Sequence, residues 1–265
     1  MYAAERRQGT APGGAHGVSA TVDQHPDVRR MLSSMRAALD AMRLVVYTIA
    51  IESDRASSAS GAAEREHAQD VVDLLTPVAK AWVTDLGVEI TSLGIQVLGG
   101  VGYSEEMRAA QRWRDSRIGP IYEGTNGIQA IDLVTRKLPR HHGALVESLL
   151  GEIDRTAGKL AGLGPGGVQA AQRLEEATGA VRSTLHWFLE VLGEDPERAL
   201  AGATPFLGLF GDVIGGWLLA GRALVRSGEA GREALEVLSF YAAERLTTVA
   251  GRCDSVVAGS SCAFV

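Results

Sequence analysis

The residues best able to do chemistry lie between positions 95 and 129. They run Ile95-Gln96-Val97-Leu98-Gly99-Gly100-Val101-Gly102-Tyr103, then Arg112-Trp113-Arg114-Asp115-Ser116-Arg117-Ile118, then Ile121-Tyr122-Glu123-Gly124-Thr125-Asn126-Gly127-Ile128-Gln129. This stretch is polar and glycine-rich where its neighbours are apolar and periodic, the composition of a site set into a scaffold. A carboxylate such as Glu123 can move a proton or can cap a helix, and residue type alone allows both. The glycines do not make a dinucleotide-binding turn, because Glu105 stands where GxGxxG needs its third glycine and no strand pattern precedes them. Gly99 and Gly100 can equally end a helix. Arg112, Arg114, Asp115 and Arg117 read as a salt-bridged surface. Glu64 and His67 make a single Glu-x-x-His, half of what a di-iron bundle needs, so no metal site is expected. Cys253 and Cys262 lack CxxC spacing and read as ordinary thiols.

The elements that must hold these residues are helices. Val28, Met31, Leu32, Met35, Leu39, Met42, Val46 and Ile49 recur at helical spacing after Pro26 and Asp27, which predicts one long amphipathic helix. A second stripe, Val71, Leu75, Val78, Trp82, Leu86, Ile90, Leu93 and Val97, stops at Gly99-Gly100. Pro77 is expected either to kink this helix or to open it behind Thr76. A short helical stretch reaches Arg114, Gly119-Pro120 breaks it, and Ile128, Ile131, Val134 and Leu138 restart it. Pro139, His141, His142 and Gly143 look like a linker. Four further patterns follow, Leu145 to Leu163, Val168 to Leu192, Pro205 to Val225 and Ala230 to Val249. They read as an up-and-down four-helix bundle without a chemical constellation of its own. Trp82, Trp187 and Trp217 are expected in the core, and Ser255 to Phe264 as a frayed tail. Gly215, Gly216 and Gly221, inside predicted helices, suggest close helix packing. The expected fold class is all-α, divided at the linker into residues 1–140 and an appended bundle over residues 141–265.

Composition narrows the function classes. The chain has 265 residues, 46% of them hydrophobic, enough for a sizeable core. Its net charge is -6, with 26 basic and 32 acidic residues spread along the sequence, so no basic stripe suited to nucleic acid stands out. No apolar run is expected to approach the roughly 20 residues that cross a bilayer. These features read as a cytoplasmic protein with no membrane and no nucleic-acid partner.

The three motif runs, QxxGGxGY, R-D-x-R-I and YEGTxxIQ, occur in order within about 35 residues. In that order and spacing the chain resembles the C-terminal helical domain of the acyl-CoA dehydrogenases. The resemblance begins at Tyr2-Ala3-Ala4-Glu5-Arg6-Arg7-Gln8-Gly9, which looks like the start of that domain's first helix, and covers roughly residues 2 to 140. The remaining bundle, with Asn126 to Ala130 and Arg136 to Pro139, is similar to the longer subgroup carrying an appended helical domain, which includes 3-methylmercaptopropionyl-CoA dehydrogenases.

That resemblance implies a mechanism. Glu123 removes the proton alpha to a thioester carbonyl while a hydride leaves the beta carbon for FAD, giving a trans-2-enoyl-CoA. The thioester oxygen is expected on the Glu123 backbone N–H and a flavin hydroxyl. Tyr122 and Gly124 would contact the acyl-CoA substrate, and a water-poor acyl pocket would surround the carboxylate. Gln96, Gly99 and Gly100 would approach a flavin held by a neighbouring subunit. Arg6 would pair with its pyrophosphate, Gln8 stands where other members have threonine, and Thr125 stands where the family's hydroxyl touches the flavin. A homo-oligomer, or a partner chain supplying further domains, is implied, with electron-transfer flavoprotein as the electron acceptor. Family members carry an N-terminal helical domain and a middle beta domain ahead of the region that begins near Tyr2, so the 265 residues are expected to be incomplete as a lone enzyme and to expose apolar surface that those domains cover. The alternative is a catalytically silent helical assembly module that keeps the motif by descent.

Overall fold

The computed structural model describes residues 2–14, 17–259 and 262. The described residues are mostly helical and form no strand; the nearest approach to one is an isolated antiparallel bridge between Arg7 and Thr21. In chain order the helices are α1 Tyr2–Glu5, α2 Pro26–Ser58, α3 Ala62–Leu98, α4 Gly100–Tyr103, α5 Ala109–Ser116, α6 Asn126–Asp132, α7 Ala144–Leu160, α8 Pro165–Glu194, α9 Pro196–Val225, α10 Gly228–Glu244 and α11 Val249–Gly259.

Helices α2 and α3 form the antiparallel hairpin expected from the two stripes, and both are longer than those stripes. α3 begins at Ala62, so Pro77 neither opens it nor ends it but sits buried inside. A proline costs one i→i−4 bond in mid-helix, and tertiary burial on both sides outweighs that here. The buried face of α2 also departs from the expected one. Met31, Ala37, Ala38, Ala41 and Val45 are buried, while Leu39 and Val46 face outward beside the exposed Tyr47 and Ile51. Alanines occupy the inner face because another helix backbone lies close against it.

That helix is α9, the central element of the fold. It packs against α2, α3 and α6 on one side and α7, α8, α10 and α11 on the other. Gly211 and Gly215 make the approach possible. A Cβ at Gly211 would sit 2.3 Å from the Trp82 ring, and one at Gly215 would sit 2.7 Å from the Tyr241 hydroxyl and 2.9 Å from Trp82. The close packing expected of the helix glycines thus holds at Gly215 and, less tightly, at Gly216, where Leu246 lies 3.1 Å away; nothing lies within 4 Å at Gly221. Trp82 is buried as expected, whereas Trp187 and Trp217 pack against the core while partly exposed.

One buried carboxylate fastens this junction. Asp212 on α9 accepts a hydrogen bond from Trp82 Nε1 at 2.9 Å and pairs with Arg252 of α11 and, at 3.6 Å, with Arg245. Its own carbonyl accepts from the Tyr241 hydroxyl at 2.9 Å. A charge this deep is tolerable only because it is fully partnered.

The segment after residue 140 therefore shares one continuous core with the segment before it. The linker is anchored as well, since Arg140 reaches back to Asp70 and Asp73 on α3 at 2.6 and 2.9 Å. Helix α9 starts at Pro196, nine residues before the expected start at Pro205, capped by Asp195, whose carboxylate accepts from the Arg198 N–H at 3.1 Å. At its full length α9 is long and apolar enough to cross a membrane, with a mean hydropathy of 1.4 over its most apolar window. The sequence reading passed over this because Asp212 and Arg222 interrupt the apolar run. Of that window 72% is buried inside the protein, as in the core helix of a helical fold. A fifth helix, α11, follows the four expected ones. It contains Ser255 to Gly259 of the expected tail, with Val256 buried; Ser260, Ser261, Ala263 and Phe264 lie outside the described residues.

Two measurements check this core. Asp212→Ala strands two arginines and an indole N–H, and removing one member of a buried pair of this kind costs about 3–5 kcal/mol; a loss under about 1 kcal/mol in chemical denaturation contradicts the role. Burial pushes the Cys253 thiol above its ordinary range. At pH 8 Cys253 should therefore be alkylated at least about tenfold more slowly in the folded chain than after unfolding, because less thiolate is present and access is restricted; equal rates in the two states refute it.

Candidate active site

Helix α3 carries the whole motif region along one flank. Its C-terminal end closes at Gly99, whose φ of +65° is left-handed, and whose N–H is accepted by Ile95 O and Gln96 O. The chain doubles back through α4, where Gly102 is buried so tightly that a Cβ would lie 2.6 Å from Leu98 Cβ and 2.7 Å from Ile95 O. Gln96, Gly99 and Gly100 are exposed, and no atom lies within 4 Å of where a side chain at Gly99 or Gly100 would begin. A flat ligand can therefore approach the backbone here closely.

The N-terminal segment meets the same corner. The Tyr2 hydroxyl donates to Leu98 O at 3.2 Å, which anchors α1 beside the end of α3. Helix α1 stops at Glu5, short of the expected run to Gly9. Arg6 and Gln8 follow in an extended segment held to residues 20–22 by Gln8 N–H to Ala20 O at 2.9 Å and Val22 N–H to Arg6 O at 2.8 Å. Both side chains are exposed, and among the described residues Arg6 has no carboxylate partner within 4 Å. Tyr2 thus brings the segment that carries Arg6 and Gln8 to the end of α3 where Gln96, Gly99 and Gly100 lie.

Glu123 lies elsewhere. Helix α5 runs back along α3, tied by the Ser116 and Thr91 hydroxyls at 3.0 Å. Of the charged run that α5 carries, Arg114 forks onto Glu105 through two 3.0 Å bonds, which hold that carboxyl below its ordinary range. After Gly119-Pro120 the chain makes a turn in which Glu123 (φ +52°) and Gly124 (φ +84°) are both left-handed. For a glutamate this conformation costs about 1–2 kcal/mol, so the surroundings must hold it. Asn126 N–H donates to Pro120 O at 2.9 Å and closes the turn. Among the described residues the Glu123 N–H makes no backbone hydrogen bond. Thr125 is the N-cap of α6, yet its hydroxyl makes no cap bond, so its side chain is spared for a ligand.

Three residues that the sequence reading passed over hold this turn. Lys80 of α3 donates to Gly124 O at 2.8 Å and to Asn126 Oδ1 at 2.9 Å, with its ammonium 5.9 Å from the Tyr122 ring centre. Asn126 is buried and donates to Ala81 O at 3.0 Å, Thr84 Oγ1 at 3.1 Å and Asp85 Oδ1 at 2.8 Å. The Asp85 carboxyl, although part of the residue remains exposed, is pushed above its ordinary range by desolvation, which outweighs the lowering by the Asn126 bond, Arg117 and Lys80. Lys80 and Asp85 stand on either side of the apolar position Trp82, and nothing in their spacing marks them in sequence. Asn126 does stand inside the motif run.

Glu123, Tyr122, Gly124 and Thr125 are all exposed. Apolar side chains crowd the same surface: Ile118, Ile121, Tyr122 and Ile128 are each more than half exposed. The uncovered apolar surface expected from the sequence is present. The enclosed, water-poor pocket expected around the carboxylate is not formed by this chain alone, because no described element rises over the turn to wall it off.

Glu123 and Gln96 are thus separate places. Lys80, at the turn, and Gln96 are sixteen residues apart on α3, roughly 24 Å at the helical rise. The Glu123 turn and the Gln96 corner therefore do not form one pocket.

Comparison with known proteins agrees with these features. Residues 16–138 match the family model described as acyl-CoA dehydrogenase, C-terminal domain, and residues 149–264 match acetyl-CoA dehydrogenase C-terminal like. The chain is 40% identical to 3-methylmercaptopropionyl-CoA dehydrogenase of Ruegeria pomeroyi over 86% of its own length and 39% of the relative's. It is 30% identical to the broad-specificity linear acyl-CoA dehydrogenase FadE5 of Mycobacterium tuberculosis, over 77% of this chain and 34% of that one. Its fold matches the crystal structure of an acyl-CoA dehydrogenase complexed with FAD from Bacillus anthracis with a TM-score of 0.74 at 17% identity, over 98% of this chain and 45% of that one. The chain spans about two fifths of the length of these proteins. From its two motif-bearing faces on α3 to its last helices, this chain belongs to the acyl-CoA dehydrogenase family and comprises its C-terminal helical region.

Proposed function

We propose that this chain forms the base-bearing part of a flavin-dependent acyl-CoA dehydrogenase, acting on an acyl-CoA thioester. The observation that carries the reading is the Glu123-Gly124 turn: two consecutive left-handed residues, clamped from α3, that present a carboxylate and a backbone N–H together. Glu123 takes the proton from the alpha carbon, and its N–H, which has no backbone acceptor among the described residues, is available to the thioester oxygen as negative charge builds there. FAD, when bound, supplies the acceptor for the hydride that leaves the beta carbon, so that a trans-2 double bond forms. The residues here fit such a group. Thr125 offers a hydroxyl without a cap bond at the turn, while Arg6 offers a guanidinium with no carboxylate partner among the described residues, with Gln8, Gln96 and the open backbone of Gly99-Gly100, at the far corner. Because the corner is roughly 24 Å along α3 from the turn, we assign it to the flavin of a neighbouring subunit in an oligomer. Tyr122 and Gly124 line the acyl side, and electron-transfer flavoprotein is the proposed acceptor of the electrons.

A second reading, a catalytically silent assembly module, draws support from the exposure of Glu123, which no described residue covers. A flavin absorbance spectrum separates the two, taken with this chain alone and with a chain carrying the remainder of such a relative. Flavin retained only in the mixture, with turnover of an acyl-CoA, is expected. Glu123→Gln should leave that spectrum in place and lower turnover by about 10²- to 10⁴-fold. Wild-type turnover by Glu123→Gln eliminates the base assignment, and a mixture that holds no flavin favours the silent module.

A further inference from the structure

We infer that Lys80 is the positioning residue of the Glu123 turn, holding the carboxylate in place through the Gly124 carbonyl. The inference rests on the reading of Glu123 as the base. Lys80 extends from the middle of α3, and its ammonium meets Gly124 O at 2.8 Å and Asn126 Oδ1 at 2.9 Å, gripping the chain on both sides of Thr125. A compact ammonium with three donors and a flexible four-carbon stem suits two acceptors that are not coplanar. The same charge lies 5.9 Å from the Tyr122 ring centre, on the other side of Glu123. The base is thus bracketed by contacts to one cation, and the left-handed pair that aims it is held from outside the turn.

Docking of the helix that follows does not need this cation. Asn126 Nδ2 already meets three acceptors on α3, and Ala130, Leu133 and Val134 are fully buried against the core. Lys80 acts one step nearer the chemistry, on the residue beside Glu123. A base misplaced by about 1 Å loses on the order of a hundredfold in rate, so a turn free to relax should show in catalysis before it shows in stability.

Lys80→Met keeps the stem and removes the charge and donors. By hydrogen exchange of the full chain, the hydrogen-bonded amides of Tyr122 and Asn126 should exchange at least about tenfold faster, as expected for loss of a charge-assisted bond, while those of residues 130–134 and the unfolding midpoint stay as in the wild type. In the flavin-loaded enzyme kcat should fall about 10- to 100-fold with KM within about twofold, and Lys80→Arg, which keeps the charge but not the compact ammonium, should recover part of both effects. Unchanged exchange at Tyr122 and Asn126, or wild-type kcat in Lys80→Met, overturns the inference. So does a Lys80→Met chain that fails to fold, because α6 must stay docked without the ammonium. Wild-type turnover by Glu123→Gln alongside the expected exchange pattern would remove the base assignment and leave the hold on the turn intact.

Discussion

The structure depends on how closely α3 and α9 approach at Trp82. The indole lies against backbone that only glycine permits, at Gly211 and Gly215, and its N–H is fixed by Asp212. Everything else is arranged around that contact. α2 offers alanines to the same junction, and α10 and α11 send Arg245 and Arg252 to neutralise the carboxylate. Lys80, two residues before Trp82, leaves the same helix on another face and grips the Glu123 turn. Core packing and site geometry are therefore set on adjacent turns of one helix, and a helix immobilised on its inner face gives the outer face its precision.

Much of this was legible in the sequence, for identifiable reasons. The α3 stripe from Leu75 to Leu86 was readable because its buried residues are large and periodic. The face of α2 was not, because periodicity weights leucine and valine, whereas the buried positions there are alanines chosen for close approach. Pro77 and Pro205 looked like boundaries on local propensity and proved to be interior, since burial overrides one missing hydrogen bond.

The motif residues themselves were plain from their order and spacing. Their separation into two places is implied by the resemblance, which gives Gln96, Gly99 and Gly100 to a neighbouring subunit's flavin, but no linear pattern shows it, because the sequence proximity of QxxGGxGY and YEGT hides the return of α5 along α3. Lys80 was invisible for a similar reason: a single lysine on a helix between apolar residues carries no mark until the turn 44 residues later is seen to close on it. Asn126 lay inside the motif, yet its role comes from three acceptors on another helix that no linear pattern announces.

The distance between the turn and the Gln96 corner is set by unbroken α-helix rather than by a loop. A helix behaves as a graduated rod: inserting a single residue between Lys80 and Gln96 would advance the far end by about 1.5 Å and swing it by about 100°. Loops elsewhere in such a protein can lengthen with little consequence, but this interval of α3 cannot drift by one position without turning the Gln96 corner relative to the Glu123 turn. The spacing of two chemistries is thereby written into helix register, and tolerance to insertions should be lowest where the chain looks most regular.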